Sequence, residues 1–247
     1  MKIKTLRKIL TLKNFMSNHQ KWFVFGILIF LLAGMSFKQI LDKTVKKRRM
    51  PIEFIVVHYT ANNHKGADAE ANAKYLRNKR IAGCHYAVDD TEIIQCTKEE
   101  NVAYAVGGKY YRGFKPKPWL GYKIKNNNSL NFEMCLGGGR NDSIIIEKTA
   151  AMFAWQLYDK KLFMTDSNLN IIPDLSRVAR HYDARGKHCP RFYYNDKEWN
   201  QEKEDHAFWL FKLKILKYFN HILEMNKPKL EDSFQLNRNY EVSDISN

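Results

Sequence analysis

The sequence lacks the short motifs that mark several large enzyme classes. It contains no C-x-x-C pair, no H-E-x-x-H, no G-x-S-x-G and no G-x-x-x-x-G-K-[ST] loop, so redox, serine-hydrolase and nucleotide-binding functions lose their usual support. Cysteine is also scarce, at four in 247 residues, which does not fit a disulfide-stabilised scaffold and favours free thiols. With 45% hydrophobic and 27% charged residues, the chain is neither disordered nor fibrous, and its length suits one domain with appendages.

The positive charge is concentrated at the N-terminus. The chain has 41 Lys and Arg against 26 Asp and Glu, which gives a net charge of +15. Residues 1–50 hold twelve basic residues and one acid, and so supply +11 of that charge. Because the rest of the chain is nearly balanced, we expect no nucleic-acid partner. Basic residues beside a hydrophobic segment indicate contact with anionic lipid headgroups instead.

A hydrophobic run lies within this basic region. Residues 22–37 carry no charge and are flanked by lysines. Sixteen residues are slightly fewer than the roughly 20 that a membrane-spanning helix needs, but the apolar residues just beyond the run extend it to 22–40. We therefore predict a single-pass transmembrane signal anchor at 22–40, between a basic segment (1–21) and a basic linker (41–50). A cleaved signal peptide and a buried core helix stay open as alternatives, and the equal basic flanks leave the orientation open.

Segments typical of strands and helices alternate after the linker. Short runs of β-branched residues and alternating apolar positions predict the strands, and apolar residues at helical spacing predict the helices. The predicted strands are 54–57, 85–88, 92–96, 130–136 and 175–179, and the predicted helices are 67–79, 147–163 and 196–224, the last with a possible break. This order predicts an α/β domain with a single mixed central β-sheet flanked by helices. We place the domain at 51–224 and a flexible tail at 225–247.

Two histidines and a cysteine stand where strands are predicted to end. His58 closes the first strand, His181 closes the last one, and Cys189 follows eight residues later. A catalytic zinc site takes three protein ligands from nitrogen, sulfur or oxygen donors and leaves a fourth position open for water. These three residues could supply that set at the strand ends. Taken singly, His58 is more typical of a core histidine than of a ligand, and Cys189 is typical of a small buried residue.

Four sequence blocks stand out along the chain, and they read VVHYT, GCHYAVDDTEIIQ, NNSLNFEMC and RHYDARGKHCP. In content and order they resemble the zinc-dependent N-acetylmuramoyl-L-alanine amidases, the type-2 amidase and peptidoglycan recognition protein family, in its phage and prophage branch. The resemblance covers about residues 51–200. The resemblance implies that His58, His181 and Cys189 hold one zinc ion per chain. It further implies that Glu133 activates the zinc-bound water and that Lys187 stabilises the oxyanion.

Two positions depart from the family pattern. Cys84 stands where some members have a catalytic tyrosine, and Ala105 stands where many have a histidine in the cleft. These departures put substrate contacts or rate in doubt and leave the metal ligands untouched. The aromatic and basic loop at 107–125 is the candidate for contact with glycan or peptide, with Trp119 and Tyr122 as the candidate substrate-binding residues.

The function implied by the resemblance is zinc-dependent hydrolysis of the amide bond between N-acetylmuramic acid and L-alanine in peptidoglycan. Because that substrate lies outside the membrane, we expect an anchored, monomeric protein whose catalytic domain is exported to the cell-wall side. One alternative is a module that binds peptidoglycan without cutting it, and another is a zinc peptidase that acts on the stem peptide. Cys189 favours catalysis, because family members that only bind have typically lost this ligand.

Overall fold

The computed structural model describes residues 36–42, 45–77, 83–107, 110–111, 123–168, 170–193 and 198–243. The second of the two units into which the chain divides covers residues 37–247. The described residues form a six-stranded mixed sheet, a separate two-stranded sheet and four α-helices. The predicted mixed central sheet with flanking helices is therefore confirmed.

The strands of the central sheet are β1 (Ser36–Gln39), β2 (Phe54–Tyr59), β3 (Tyr86–Val88), β4 (Glu92–Gln95), β5 (Ser129–Met134) and β8 (Val178–Arg180). The sheet is mixed, and its spatial order is β1-β4-β3-β5-β2-β8. Strand β2 runs parallel to both β5 and β8, while β3 is parallel to β5 and antiparallel to β4. The first five residues of β2 are buried, as is usual for a parallel strand covered on both faces. The predicted alternation of β5 places Asn131 and Glu133 on the face shared with His58.

Two helices cover the other face of the sheet. Helix α2 (Asp142–Asp159) packs against α4 (Gln201–Ser243). The ring of Phe132 on β5 lies 4.9 Å from Phe153 on α2, which in turn lies 5.3 Å from Phe211 on α4. Such pairs of aromatic rings in a buried core stabilise beyond the area they bury. This layer forms a rigid backing for the strands that carry the site.

The face that carries the site is covered by shorter elements. Helix α1 (Ala69–Arg77) packs Ala69 and Ala73 against Ala87 and the neighbouring strands. Its first turn is held by Asp89, whose Oδ2 accepts a hydrogen bond of 2.8 Å from the Ala69 amide, so a free amide at the helix N-terminus finds a partner. The second helix in this layer is α3 (His181–Arg185), which directly follows β8.

The predicted end of the membrane anchor is wrong. Residues 36–39, assigned to the anchor over 22–40, form the edge strand β1, and the Ile40 amide continues this pairing with a hydrogen bond of 3.0 Å to the Gln95 carbonyl. Residues 1–35 lie outside the described part of the chain. Among the described residues, no helix is both long and apolar enough to cross a membrane.

The predicted linker at 41–50 is built into the domain. Lys47 pairs with Asn101 in an isolated β-bridge. The Arg48 guanidinium donates to the backbone carbonyls of Glu99 at 3.0 Å and Asn127 at 2.7 Å. A basic residue that looks like a membrane flank in the sequence is thus a half-buried structural residue, because its guanidinium donates to four backbone carbonyls that this point of the fold brings together.

The C-terminal helix is longer than predicted. Helix α4 runs without a break from Gln201 to Ser243, so the backbone after residue 224 is helical where the sequence suggested an aperiodic tail. In the acidic first turn of α4, the Glu204 carboxylate accepts hydrogen bonds from the Phe192 and Tyr193 amides of the preceding segment. The two-stranded sheet of β6 (Phe163–Thr165) and β7 (Ile171–Pro173) was not predicted from the sequence.

Candidate metal centre

The three predicted ligands converge at one end of the sheet. His58 is the fifth residue of β2, and His181 is the first residue of α3, immediately after β8. Because β2 and β8 are adjacent and parallel, their carboxyl ends meet at the same edge. Cys189 reaches the same point from the segment after α3, and all three side chains are buried.

The ligand atoms have the spacing of a metal site. His58 Nδ1 lies 3.1 Å from His181 Nδ1 and 3.9 Å from Cys189 Sγ, and the three ligand atoms lie within 4.8 Å of one another. Zn–N bonds of about 2.1 Å and Zn–S bonds of about 2.3 Å at tetrahedral angles give donor separations of about 3.4 Å and 3.6 Å. The observed separations bracket these values, so the donor set fits a tetrahedral zinc ion with one open position.

A tight turn returns the chain from His181 to Cys189. Helix α3 is followed by the capping residue Gly186, whose φ of 75° is a left-handed conformation that favours glycine. The Gly186 amide donates to the Tyr182 carbonyl at 2.7 Å, and the Tyr182 amide donates to the Cys189 carbonyl at 2.8 Å. These two bonds close the segment on itself, which places the Cys189 thiol beside the imidazole at the start of the helix.

Burial keeps both histidines neutral and therefore able to bind a metal. Desolvation lowers the pKa of His58 to about 4, and desolvation together with the nearby His58 lowers the pKa of His181 to about 2. Desolvation raises the pKa of the Cys189 thiol, as does the nearby Glu133 carboxyl. A positive ion would reverse this last effect, because a thiol that coordinates a metal loses its proton.

Glu133 lies next to the ligands on the same face. In the parallel register of β2 and β5 it is the partner of His58. Its Oε2 atom is buried and accepts no hydrogen bond within the described part of the structure. Desolvation raises the pKa of this carboxyl to about 7, against the opposing effect of the Lys187 charge. A carboxyl with a pKa near neutrality can both accept and return a proton.

Lys187 is exposed at the rim of the site. Its charge contributes to lowering the pKa of both histidines and of Glu133. The adjacent His188 turns away and stacks on Trp199, with ring centroids 4.6 Å apart and an interplanar angle of 9°. His188 is therefore not a ligand in this arrangement.

The predicted substrate-binding residues lie outside the described part of the chain. Trp119 and Tyr122 belong to the predicted loop at 107–125, of which residues 112–122 are not described. The beginning of that loop does approach the site, because the Tyr111 amide donates to the Arg185 carbonyl at 3.0 Å and the Arg185 guanidinium lies 5.0 Å from the centre of the Tyr110 ring.

The two departures from the family pattern have different surroundings. Cys84 is fully buried, packed among Ala69, Ala73 and Cys96 away from solvent. Ala105 donates its backbone amide to Asn126 Oδ1 at 3.0 Å. All four cysteines are free and buried. Neither position supplies a polar side chain to the metal centre.

One residue of the site was missed in the sequence. Asn131 Oδ1 lies 3.1 Å from His58 Nε2, on the side of the ring opposite the other ligands. The alternation of β5 could have revealed it, because Asn131 precedes Glu133 by two residues and must share its face. What the sequence could not supply was the pairing of β5 with β2, which brings that face beside His58.

Comparisons with known proteins agree with this geometry. The family profile described as N-acetylmuramoyl-L-alanine amidase (Amidase_2) matches residues 48–192. Two relatives from Bacillus subtilis are the N-acetylmuramoyl-L-alanine amidases CwlH, 31% identical over 60% of this chain and 56% of its own length, and XlyA, 32% identical over 56% and 39%. The chain thus spans about half or less of the length of these curated relatives.

The fold is shared with solved structures of similar proteins. The catalytic domain of XlyA superposes with a TM-score of 0.53 at 22% identity, covering 73% of this chain and 99% of that domain. The Staphylococcus aureus hydrolase AmiA, solved in complex with its ligand, gives a TM-score of 0.51 at 18% identity over 82% and 91% of the two chains. Since the family profile covers more than half of the sequence, this chain belongs to the N-acetylmuramoyl-L-alanine amidase family.

Proposed function

We propose that this protein is a zinc-dependent amidase that hydrolyses the bond between N-acetylmuramic acid and L-alanine in peptidoglycan. The observation that carries the proposal is the convergence of His58, His181 and Cys189, with the half-buried Glu133, whose Oε2 atom is buried, paired with His58 in the sheet. Membership of the amidase family supplies the class of substrate. The donor set and its spacing fit one zinc ion per chain.

Each side chain of the site has a distinct role in this proposal. His58, His181 and Cys189 would hold the zinc ion, which when bound polarises the substrate carbonyl and acidifies a bound water. Glu133 takes the proton of the attacking water and passes it to the departing nitrogen of L-alanine. Lys187 places its ammonium charge near the carbonyl oxygen, where negative charge develops as the water attacks.

The environment of Glu133 supports its proposed role. A buried carboxylate without a hydrogen-bond partner is a stronger base than one in water, because ionisation costs desolvation energy. The pKa of about 7 is close to that of a zinc-bound water, about 7, and slightly below that of an α-amino group, about 8. A group with such a pKa can carry the proton from one to the other near neutral pH.

The decisive experiment is digestion of purified cell walls by the full chain. We expect new free L-alanine amino termini, loss of activity on chelation and recovery on addition of Zn²⁺. Cys189→Ala should abolish the activity, whereas Cys96→Ala removes a buried thiol that packs near α1 and should leave zinc dependence intact. Other new amino termini would identify a peptidase, binding without release would identify a recognition module, and activity that survives chelation would exclude the zinc mechanism.

We further propose that the loop at 107–125 contacts glycan or peptide and that the protein acts at the cell wall from a membrane anchor. The docking of Tyr110 and Tyr111 on Arg185 supports a loop position near the site. With residues 36–39 in β1, fourteen uncharged residues remain in the anchor, at 22–35. For the loop, Trp119→Ala together with Tyr122→Ala should weaken the affinity of the protein for wall fragments. For the anchor, membrane fractionation of the full chain is the test.

A further inference from the structure

We propose that Asn131 is a positioning residue of the metal centre, which fixes the tautomer and ring orientation of His58 so that Nδ1 faces the metal. The inference rests on the proposed function, since it concerns a ligand of the same ion. His58 has Asn131 Oδ1 3.1 Å from its Nε2 atom, whereas His181 and Cys189 lie on the Nδ1 side of the ring. The two ring nitrogens therefore have separate tasks.

The orientation of the Asn131 amide follows from its other contacts. Asn131 Nδ2 lies 3.3 Å from the Ser129 carbonyl and 3.2 Å from Ser129 Oγ. The carbonyl can only accept, and the Ser129 hydroxyl already donates to the Lys125 carbonyl at 2.8 Å, so both favour the NH₂ group. Oδ1 must then face His58. Because this oxygen only accepts, Nε2 carries the imidazole proton and Nδ1 keeps a free lone pair.

The backbone of Asn131 is fixed by a second histidine. Its amide donates to His85 Nδ1 at 3.0 Å, and because a backbone N–H can only donate, this nitrogen of His85 must be unprotonated. His85 then carries its proton on Nε2, which lies 3.2 Å from the Asn101 carbonyl and 2.9 Å from Arg48 Nη2. Desolvation and the neighbouring Arg48 charge lower the pKa of His85 to about 3 and keep the ring neutral. Asn131 is thus held between two imidazoles, by its backbone on one side and its side chain on the other.

Arg48 completes the network at its outer end. Its Nη2 atom lies 3.1 Å from both the Asn101 and the Ser129 carbonyls, which also receive hydrogen bonds from His85 and Asn131. A continuous set of hydrogen bonds therefore runs from the segment before β2 to the ligand His58. Within this set, the Asn131 oxygen decides the tautomer of His58, because Oδ1 can only accept and so takes the proton of Nε2.

Asn131 is fully buried, so a loss of stability in a variant would not by itself distinguish positioning from packing. The distinguishing quantities are the tautomer of His58 and the affinity for zinc. Partners of metal-binding histidines typically change metal affinity by about 10–100-fold when removed. Asn131→Leu keeps the size of the side chain and removes the acceptor. Asn131→Asp keeps an acceptor towards Nε2.

The experiment uses the full chain in two forms. In the metal-free protein, ¹⁵N NMR of the histidine rings should show His58 protonated on Nε2. In zinc titrations against a chromophoric chelator, Asn131→Leu should weaken the Kd by about 10–100-fold, and Asn131→Asp should restore most of the affinity. Asn128→Leu is the matched control: Asn128 is buried and donates to Glu53 Oε2 at 2.8 Å, so its loss should lower stability without changing the Kd for zinc.

Three results would overturn the inference. If the His58 ring of the unmutated protein is protonated on Nδ1, the inference is overturned, and this result does not require that Asn131→Leu folds. An unchanged Kd for zinc in a folded Asn131→Leu variant overturns the positioning role alone. Absence of zinc binding by the unmutated protein overturns the proposed function, and the inference with it.

Discussion

Arg48 offers a sharp test of how the segment before β2 supports the domain. Its guanidinium donates to four backbone carbonyls, those of Glu99, Asn101, Asn127 and Ser129, at distances of 2.7–3.1 Å. Arg48→Met keeps much of the apolar stem and removes all of these bonds. Hydrogen bonds to a charged group contribute about 1.5–3 kcal/mol each, but desolvation of the guanidinium and access of water to some carbonyls offset part of the sum.

We expect Arg48→Met to lower the free energy of unfolding by about 3 kcal/mol, the upper end of the range for single substitutions. For a domain of this size, such a loss corresponds to a fall in Tm of roughly 6–12 °C. Arg49→Met is the matched control, because it removes the same charge from the adjacent, exposed position. Thermal unfolding of both variants provides the comparison. Equal Tm values for the two would refute a structural role of Arg48 and return residues 41–50 to the status of a linker.

Three further predictions concern catalysis, pH and the turn that carries Cys189. Glu133→Gln should lower kcat by about 10²–10⁴-fold while zinc content, measured by atomic emission, stays unchanged. Burial raises the pKa of Asp89, but hydrogen bonds from Ala69 and neighbouring amides outweigh it and hold that pKa below its usual value. Its stabilising contribution should therefore be complete above the unfolded-state pKa of about 3.9 and decrease as pH falls below it, so the difference in unfolding free energy between the protein and Asp89→Asn should shrink in acid. Gly186→Ala should cost about 1–2 kcal/mol, because a side chain disfavours its left-handed conformation, and should weaken zinc binding in the same chelator assay.

Most of the site could be predicted because its residues occupy positions that local patterns define. His58 ends a β-branched run, and Glu133 lies on the polar face of an alternating strand. Local periodicity is enough for both observations. The spatial order of the strands is a different matter, since β2 lies between β5 and β8, which are distant from it in sequence. The contact between Asn131 and His58 depends on that order and was therefore missed.

Two segments at the N-terminal end of the domain were misjudged for a similar reason. Arg48 stands in a run of basic residues, and only the carbonyls brought to it by residues 99–129 make it a half-buried, hydrogen-bonded group. Residues 36–39 resemble the end of a hydrophobic span, but the free edge of β4 accepts them as a strand. In both cases the decisive partner is remote in sequence, so composition alone favours the simpler interpretation.

The position of β8 at the edge of the sheet gives the metal a second consequence. Strand β8 pairs with β2 over only three residues, and its other side has no partner among the described strands. His181 and Cys189 follow β8, whereas His58 belongs to β2. An ion bound by all three would therefore cross-link the edge strand to an interior strand, through ligands such as His58 and His181 that are 123 residues apart in sequence. Ligands that bind only the folded state shift the folding equilibrium towards it. Removal of the ion by a chelator should therefore destabilise the pairing of β8 with β2 first. An edge strand that has lost its place in the sheet can pair with strands of other molecules. Metal-depleted protein should consequently aggregate more readily than the zinc-loaded form, even before global unfolding.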